Sequence, residues 1–222
     1  MAKKSVTEQD NFSYLLTSLL SVLLLSAISE QLLHLEQSYI VGALVVFLSI
    51  SVLGVSKNKV VSKGKLYILC AIFLIALISA WMDSLNLDIL QLVMILAFLL
   101  YTLKSAFRQV LFSGEITGNN IVGSICLFLL FGLIWSFIYL INLQVFPDSF
   151  NGIEPAPWDE QLGGVIYYSF ITLTTIGYGE ITPALPIPRF FAYLEAIVGQ
   201  FYMAVLVASL VGAHMSQKEH KD

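Results

Sequence analysis

Six apolar stretches separated by short polar segments set the limits on what this chain can fold into. They run approximately over residues 14–33, 39–55, 66–81, 89–107, 121–143 and 190–213. A helix needs about 20 apolar residues to cross the hydrocarbon core of a bilayer, and these stretches reach or approach that length. The second and third are short, so their ends are expected to extend through Ser, Lys or Asp residues that snorkel to the interface. Only 12% of the chain is charged, against about 25% in soluble domains, and the mean hydropathy is +0.84. The sequence predicts an all-α membrane protein.

The basic residues orient it. Lys3 and Lys4 precede the first stretch, and Lys57, Lys59, Lys63 and Lys65 lie between the second and third. Lys104 and Arg108 end the fourth, and Lys218 and Lys221 follow the sixth, which leaves Arg189 as the one basic residue on the other side. That other side carries Glu36, Asp83, Asp88, Asp148, Glu154, Asp159, Glu160 and Glu180. Short loops rich in Lys and Arg stay cytoplasmic, so a multi-pass protein of the cell (inner or plasma) membrane is predicted, with both termini cytoplasmic and the loop between the fifth and sixth stretches facing out. A cleaved leader is the rival reading of the N-terminus, with Lys3-Lys4, an apolar run and Ser26-Ala27-Ile28-Ser29. The run exceeds the usual 7–15 residues of such a core, roughly. A net charge of −4 gives no sign of nucleic-acid binding. Cys70 and Cys126 each sit inside an apolar stretch, where a thiol behaves as a small hydrophobe rather than a metal ligand or disulfide partner.

Between the fifth and sixth stretches the chain does something different. Residues 164–174 look helical but are too short to span, and Thr174-Thr175-Ile176-Gly177-Tyr178-Gly179-Glu180 follows. Two glycines flanking a tyrosine let the backbone adopt conformations that other residues avoid, so successive carbonyl oxygens can point the same way. A ring of such oxygens can replace the hydration shell of a cation. Irregular backbone at membrane depth is tolerated only inside protein or along a cavity.

The string T-I-G-Y-G resembles the signature of potassium channels, with Ile176 where valine is commoner; the carbonyl-ring mechanism is that family's own and is carried over from it. The preceding Tyr167-Tyr168-Ser169-Phe170-Ile171-Thr172-Leu173-Thr174 resembles a pore helix, and Pro183, Pro186 and Pro188 break regular structure before a long apolar helix. The resemblance implies six transmembrane helices with a re-entrant pore helix and selectivity filter between the fifth and sixth. It covers nearly the whole chain and is similar to the bacterial six-span type of the pore-loop cation channels. The polar segment 113–120 divides it: residues 1–112 as a four-helix transmembrane domain in the voltage-sensor-like position, and 113–222 as the pore domain.

The resemblance implies roles residue by residue. The carbonyls of Thr175, Ile176, Gly177 and Tyr178, with the Thr175 hydroxyl, coordinate K⁺ as the permeant ion, and Gly179 completes the filter. One chain supplies one copy, so a homotetramer follows, with lipid and K⁺ as its other partners and no organic cofactor. The pore helix aims its C-terminal end, near Thr174, toward a central cavity, where the helix dipole favours a cation. Tyr167 and Tyr168 stand where the family often has a tryptophan pair cuffing the filter, with plain core packing the alternative for Tyr167. Glu180 replaces the usual aspartate, and Ile171 stands where some relatives carry a carboxylate, so no carboxyl–carboxyl contact with Glu180 is expected.

In the sixth stretch Gly199 occupies the position of the family's hinge glycine, and close packing against the pore helix is the alternative. Met203, Val207 and Val211 share one helical face, with Gln200 nearby; they are expected to line the cavity and narrow to an apolar gate near Val211, or else to face lipid. Glu195 is ionisable inside a span and therefore needs partners, most simply a hydrogen bond to the pore helix. Arg189 is expected to pair with an external carboxylate. Glu30 and His34, spaced i, i+4, form either a proton-sensing pair or an interfacial rim. His214 and His220 either report cytoplasmic pH or belong to a short solvated tail, the reading preferred.

The fourth stretch carries no basic residue from Ile89 to Leu103. A voltage sensor needs charge within the membrane field, so little voltage dependence is expected. The function predicted is passive, potassium-selective conduction. The alternatives are a less selective cation channel, against which the intact Gly-Tyr-Gly argues, and a K⁺ transporter subunit, for which one span–loop–span unit is too few. No nucleophile elbow, metal-ligand cluster or catalytic carboxylate pair points to an enzyme.

Overall fold

A computed structural model describes residues 11–28, 87–111 and 118–219. Five α-helices appear in that portion: α1 (Asn11–Ile28), α2 (Asp88–Leu111), α3 (Gly118–Val145), α4 (Trp158–Leu173) and α5 (Pro186–Glu219). A 3-10 turn at Pro147–Ser149 leads into strand β1 (Phe150–Asn151), which pairs antiparallel with β2 (Thr182–Pro183). Among the described residues, three helices are long and apolar enough to cross a membrane, over Asp88–Val110, Asn119–Val145 and Pro186–Leu206. They coincide with the expected fourth, fifth and sixth stretches. The second and third stretches, Glu30, His34, Cys70 and His220 lie outside the described residues.

Three boundaries differ from expectation. Gly118, Asn119 and Asn120 are not loop but the first turn of α3. Likewise, Pro186 and Pro188 do not precede the sixth helix; they open it. The first four N–H groups of a helix have no intrahelical acceptor, so prolines cost nothing there and their fixed φ favours the turn. The helix also continues beyond His214 to Glu219, where a tail was expected.

The chain packs as two units that divide inside α3, at Leu130 and Phe131. In the first, α1 buries Phe12, Leu15, Leu19 and Val22, a spacing of three and four that makes one helical face. The α2 helix buries Leu92, Ile95, Phe98, Leu99 and Ala106 and exposes Ile89, Leu90, Val93, Leu100 and Phe107. Apolar side chains outside as well as inside are what lipid permits and water does not. Gly123 of α3 lets Phe12 and Val110 approach closely, and the buried Cys126 thiol donates to the Phe12 carbonyl oxygen at 3.5 Å.

In the second unit, the α3 residues Leu133, Phe137, Tyr139 and Leu140 are buried, as are Leu162, Val165, Tyr168, Ile171 and Leu173 of α4. Gly132 makes room for the Phe170 ring, whose atoms would stand 2.6 Å from any β-carbon there. The Phe131 and Tyr202 rings meet edge to face at 5.3 Å, tying α3 to α5. This core holds the end of α4 and the loop after it.

Candidate functional site

The loop Thr174–Glu180 grows out of α4. That helix carries Asp159 and Glu160 in its first turn, where acidic groups offset the positive end of the helix dipole. At the other end the Thr174 hydroxyl donates to the Phe170 carbonyl at 2.6 Å, so this threonine closes the helix with its own side chain. The chain then turns back along α4. The Thr175 N–H bonds to the Thr172 carbonyl at 3.0 Å, and the N–H groups of Ile176 and Gly177 both bond to the Ile171 carbonyl, at 2.8 and 3.2 Å.

Backbone handedness alternates through the loop. Thr175, Gly177 and Gly179 have φ of 60°, 52° and 96°, while Ile176 and Tyr178 between them do not have positive φ. Alternation of this kind brings successive carbonyls onto one side, and among the described residues no group donates to the carbonyl oxygens of Thr175 through Gly179. The two glycines take left-handed conformations freely. Thr175 does not: a β-branched residue at positive φ is an outlier and costs of order 1–3 kcal/mol unless its surroundings hold it. The loop thus presents a row of bare oxygens, framed from behind by α4. Ile176 and Tyr178 are exposed, the latter at 71%, so much of each side chain is left uncovered by its own chain.

Outside the loop, the two expected tyrosines part company. Tyr167 is exposed and hydrogen-bonds Glu180; that bond first, then partial desolvation and the carboxylate charge, pushes its hydroxyl up to about 12. Tyr168 turns the other way and is buried in a set of edge-to-face rings with Tyr139 at 5.1 Å and Phe150 at 5.2 Å. Tyr139 and Phe150 themselves stand 5.4 Å apart. A pair expected to act together serves two different neighbours.

The segment before α4 is stapled to the segment after the loop. Phe150 pairs with Pro183 and Asn151 with Thr182, and the Asn151 amide donates to the Thr182 hydroxyl at 3.1 Å. The Ala184 N–H bonds to the Ser149 carbonyl at 2.9 Å. Gly152, at φ 82°, leaves no space for a β-carbon against the Glu180 carbonyl. Among the described residues Arg189 takes no carboxylate; its Nε donates to the Pro183 carbonyl at 3.0 Å, an acceptor in β2.

Behind α4, Glu195 is fully buried. Its Oε2 accepts from the Tyr139 hydroxyl at 2.6 Å and its Oε1 from the Ser169 hydroxyl at 2.6 Å. The Ser169 oxygen also stands 2.8 Å from the Gly132 carbonyl. Glu195 therefore reaches both α4 and α3. Tyr139, Ser169 and Gly132 were not legible as site residues. The one signal was Glu195 itself, since a buried carboxyl requires partners but does not name them.

On the far side of the loop, Gly199 lies so close to the Leu173 carbonyl that a β-carbon would overlap it, and α5 runs unbroken through this position. The geometry there is close packing. The next residue, Gln200, donates from Nε2 to the Thr175 hydroxyl at 3.1 Å. Met203 is exposed. Val207 and Val211 continue α5, and their side chains lie outside the described residues.

Residues 124–215 match the family described as ion channel. The chain is 26% identical over 91 residues to "Two pore potassium channel c" of Oryza sativa subsp. japonica, covering 38% of this chain and 20% of that protein. It is 31% identical over 72 residues to "Two-pore potassium channel 5" of Arabidopsis thaliana, covering 32% and 17%. With "Two-pore potassium channel 2" of the same plant it is 30% identical over 93 residues, covering 42% and 18%. Each match spans no more than a fifth of the relative's length. No solved structure matches the chain.

Proposed function

We propose that this chain, a member of the pore-loop potassium-channel family, conducts K⁺ passively and selectively through a pore built by four copies of residues 175–179. The observation that carries the reading is the loop itself. Alternating backbone handedness with both the Ile176 and Gly177 amides held by the Ile171 carbonyl leaves the oxygens of Thr175, Ile176, Gly177 and Tyr178 bare for a dehydrated cation.

The supporting residues take these roles. Tyr167 holds Glu180 at the outer mouth, and Thr174 ends the pore helix. Glu195 ties that helix to its two neighbours, and Gly199 lets the inner helix lie against it. Gln200, Met203, Val207 and Val211 line the cavity, narrowing to the gate near Val211. The homotetramer is favoured by α5, of whose span only 11% is buried within one chain; a helix that apolar and that bare needs neighbouring subunits or lipid. Residues 1–112 form the four-helix domain and 113–222 the pore domain, in a cell membrane with both termini cytoplasmic. Lys104 and Arg108 lie in the last two turns of α2, near the expected cytoplasmic surface, so opening is not steeply voltage-dependent.

The test is the reversal potential in planar bilayers with K⁺ and Na⁺ on opposite sides. Reversal near the K⁺ equilibrium potential, abolished by Gly177→Asp, is the expected result. Comparable Na⁺ permeation overturns the selectivity, and a monomer on size analysis overturns the pore.

A further inference from the structure

Three features converge where α5 passes the base of the loop. Gly199 brings the α5 backbone against the Leu173 carbonyl, which places the next side chain within reach of the loop. Gln200 uses that reach to donate to the Thr175 hydroxyl at 3.1 Å. Thr175 is, among the described residues, the one non-glycine with positive φ. A strained residue, a close helix and a directed hydrogen bond meet at one oxygen.

We infer that Gln200 is the positioning residue for the Thr175 hydroxyl and so sets the affinity of the innermost cation site of the loop. A threonine hydroxyl has one proton and two lone pairs, and it rotates to suit its partners. An amide N–H is donor only. When Gln200 Nε2 fills one lone pair, the hydroxyl proton is turned away from Gln200 and a second lone pair is left for the ion. Without that donor the hydroxyl is free to rotate, and its proton can face the site and oppose a cation. The ligand is a desolvated monovalent cation of the size of K⁺. The inference rests on the channel reading above and goes beyond it, because the residue lies on the inner helix and outside the loop.

Calorimetric titration of K⁺ into the full-length protein, purified in a Na⁺ buffer, tests it and does not depend on whether the pore is open. Gln200→Leu, which keeps the bulk and removes the donor, is expected to weaken K⁺ binding about tenfold, equivalent to about 1.4 kcal/mol. The thermal midpoint in Na⁺ alone is expected to stay unchanged, which a packing role would not allow. Thr175→Val removes the hydroxyl at nearly constant shape, and in that background Gln200→Leu is expected to change binding by less than about twofold, as coupled sites behave. Gln200→Asn keeps the amide but falls one methylene short, and it provides the same loss where the leucine variant fails to fold. The inference is overturned if Gln200→Leu leaves native K⁺ binding intact, or if its loss is as large without the Thr175 hydroxyl as with it. If the native chain does not bind K⁺ in preference to Na⁺, the channel reading itself falls and takes the inference with it.

Discussion

Gly199 and Leu173 face each other with no room between the α-carbon of one and the carbonyl oxygen of the other. An exposed helical glycine replaced by alanine normally gains about 0.5–1 kcal/mol. Here the sign reverses, because the obstacle is backbone and cannot swing aside. Gly199→Ala is expected to destabilise by about 1–3 kcal/mol, the range for overpacking, and to displace the end of α4. Thermal unfolding of the purified protein, with K⁺ current measured in parallel, checks it; a stabilised and fully conducting alanine variant would contradict the geometry.

The carboxyl of Glu195 satisfies two hydroxyls from two different helices. Glu195→Leu leaves the buried Tyr139 hydroxyl without its acceptor, at about 1–3 kcal/mol, while the Ser169 hydroxyl keeps the Gly132 carbonyl at 2.8 Å. Tyr139→Phe keeps the ring in its aromatic set but leaves the buried Glu195 Oε2 without its donor, so a loss of about 3 kcal/mol, larger than that of Glu195→Leu, is expected because the group left unpaired is the carboxyl. The order of the two variants in denaturation midpoint is the measurement, and equal losses would show that packing rather than hydrogen bonding dominates.

The bond from Tyr167 to Glu180 raises the phenol to about 12. Because the folded value lies above the ordinary value of about 10, the contribution is complete below pH 10. It is lost as pH rises toward 12. Difference titration of tyrosinate absorbance between the native protein and Tyr167→Phe is expected to show one phenol ionising late. Glu180→Gln should move it down, since the carboxylate is both the main partner and the local charge.

At Gly152, positive φ and the adjacent Glu180 carbonyl both exclude a side chain. Gly152→Ala is expected to separate β1 from β2 at a cost of order 1–3 kcal/mol. Limited proteolysis of the segment between α3 and α4 reads this directly: cleavage rises several-fold if the pairing holds the segment down, and is unchanged if it does not.

How much of this could be read from the residues depends on the range of each contact. The helices α2, α3 and α5 were legible because apolar length is a local property, and so was the loop, because Gly177 and Gly179 mark where backbone must turn left-handed. Glu195 announced a need for partners by its charge. Tyr139, which lies 56 positions away in sequence, carries no mark that distinguishes it from a lipid-facing tyrosine. The β1–β2 pairing is two residues long, too short for alternation to show. Tyr167 and Tyr168 are adjacent and alike; only the helical turn between them sends one to Glu180 and the other into the core. Pro186 and Pro188 were read as breakers because proline stops helices in their interiors, whereas the first turn accepts it.

The Ile171 carbonyl bonds to amides only five and six residues further along the chain. Closing so short a loop carries little entropy, and contacts that local form early. The frame behind the bare oxygens can therefore be cast as α4 itself folds, before any neighbouring copy arrives. If four copies assemble as proposed, they bring together loops already shaped for their task, and an error in joining copies costs neighbours rather than the form of the loop.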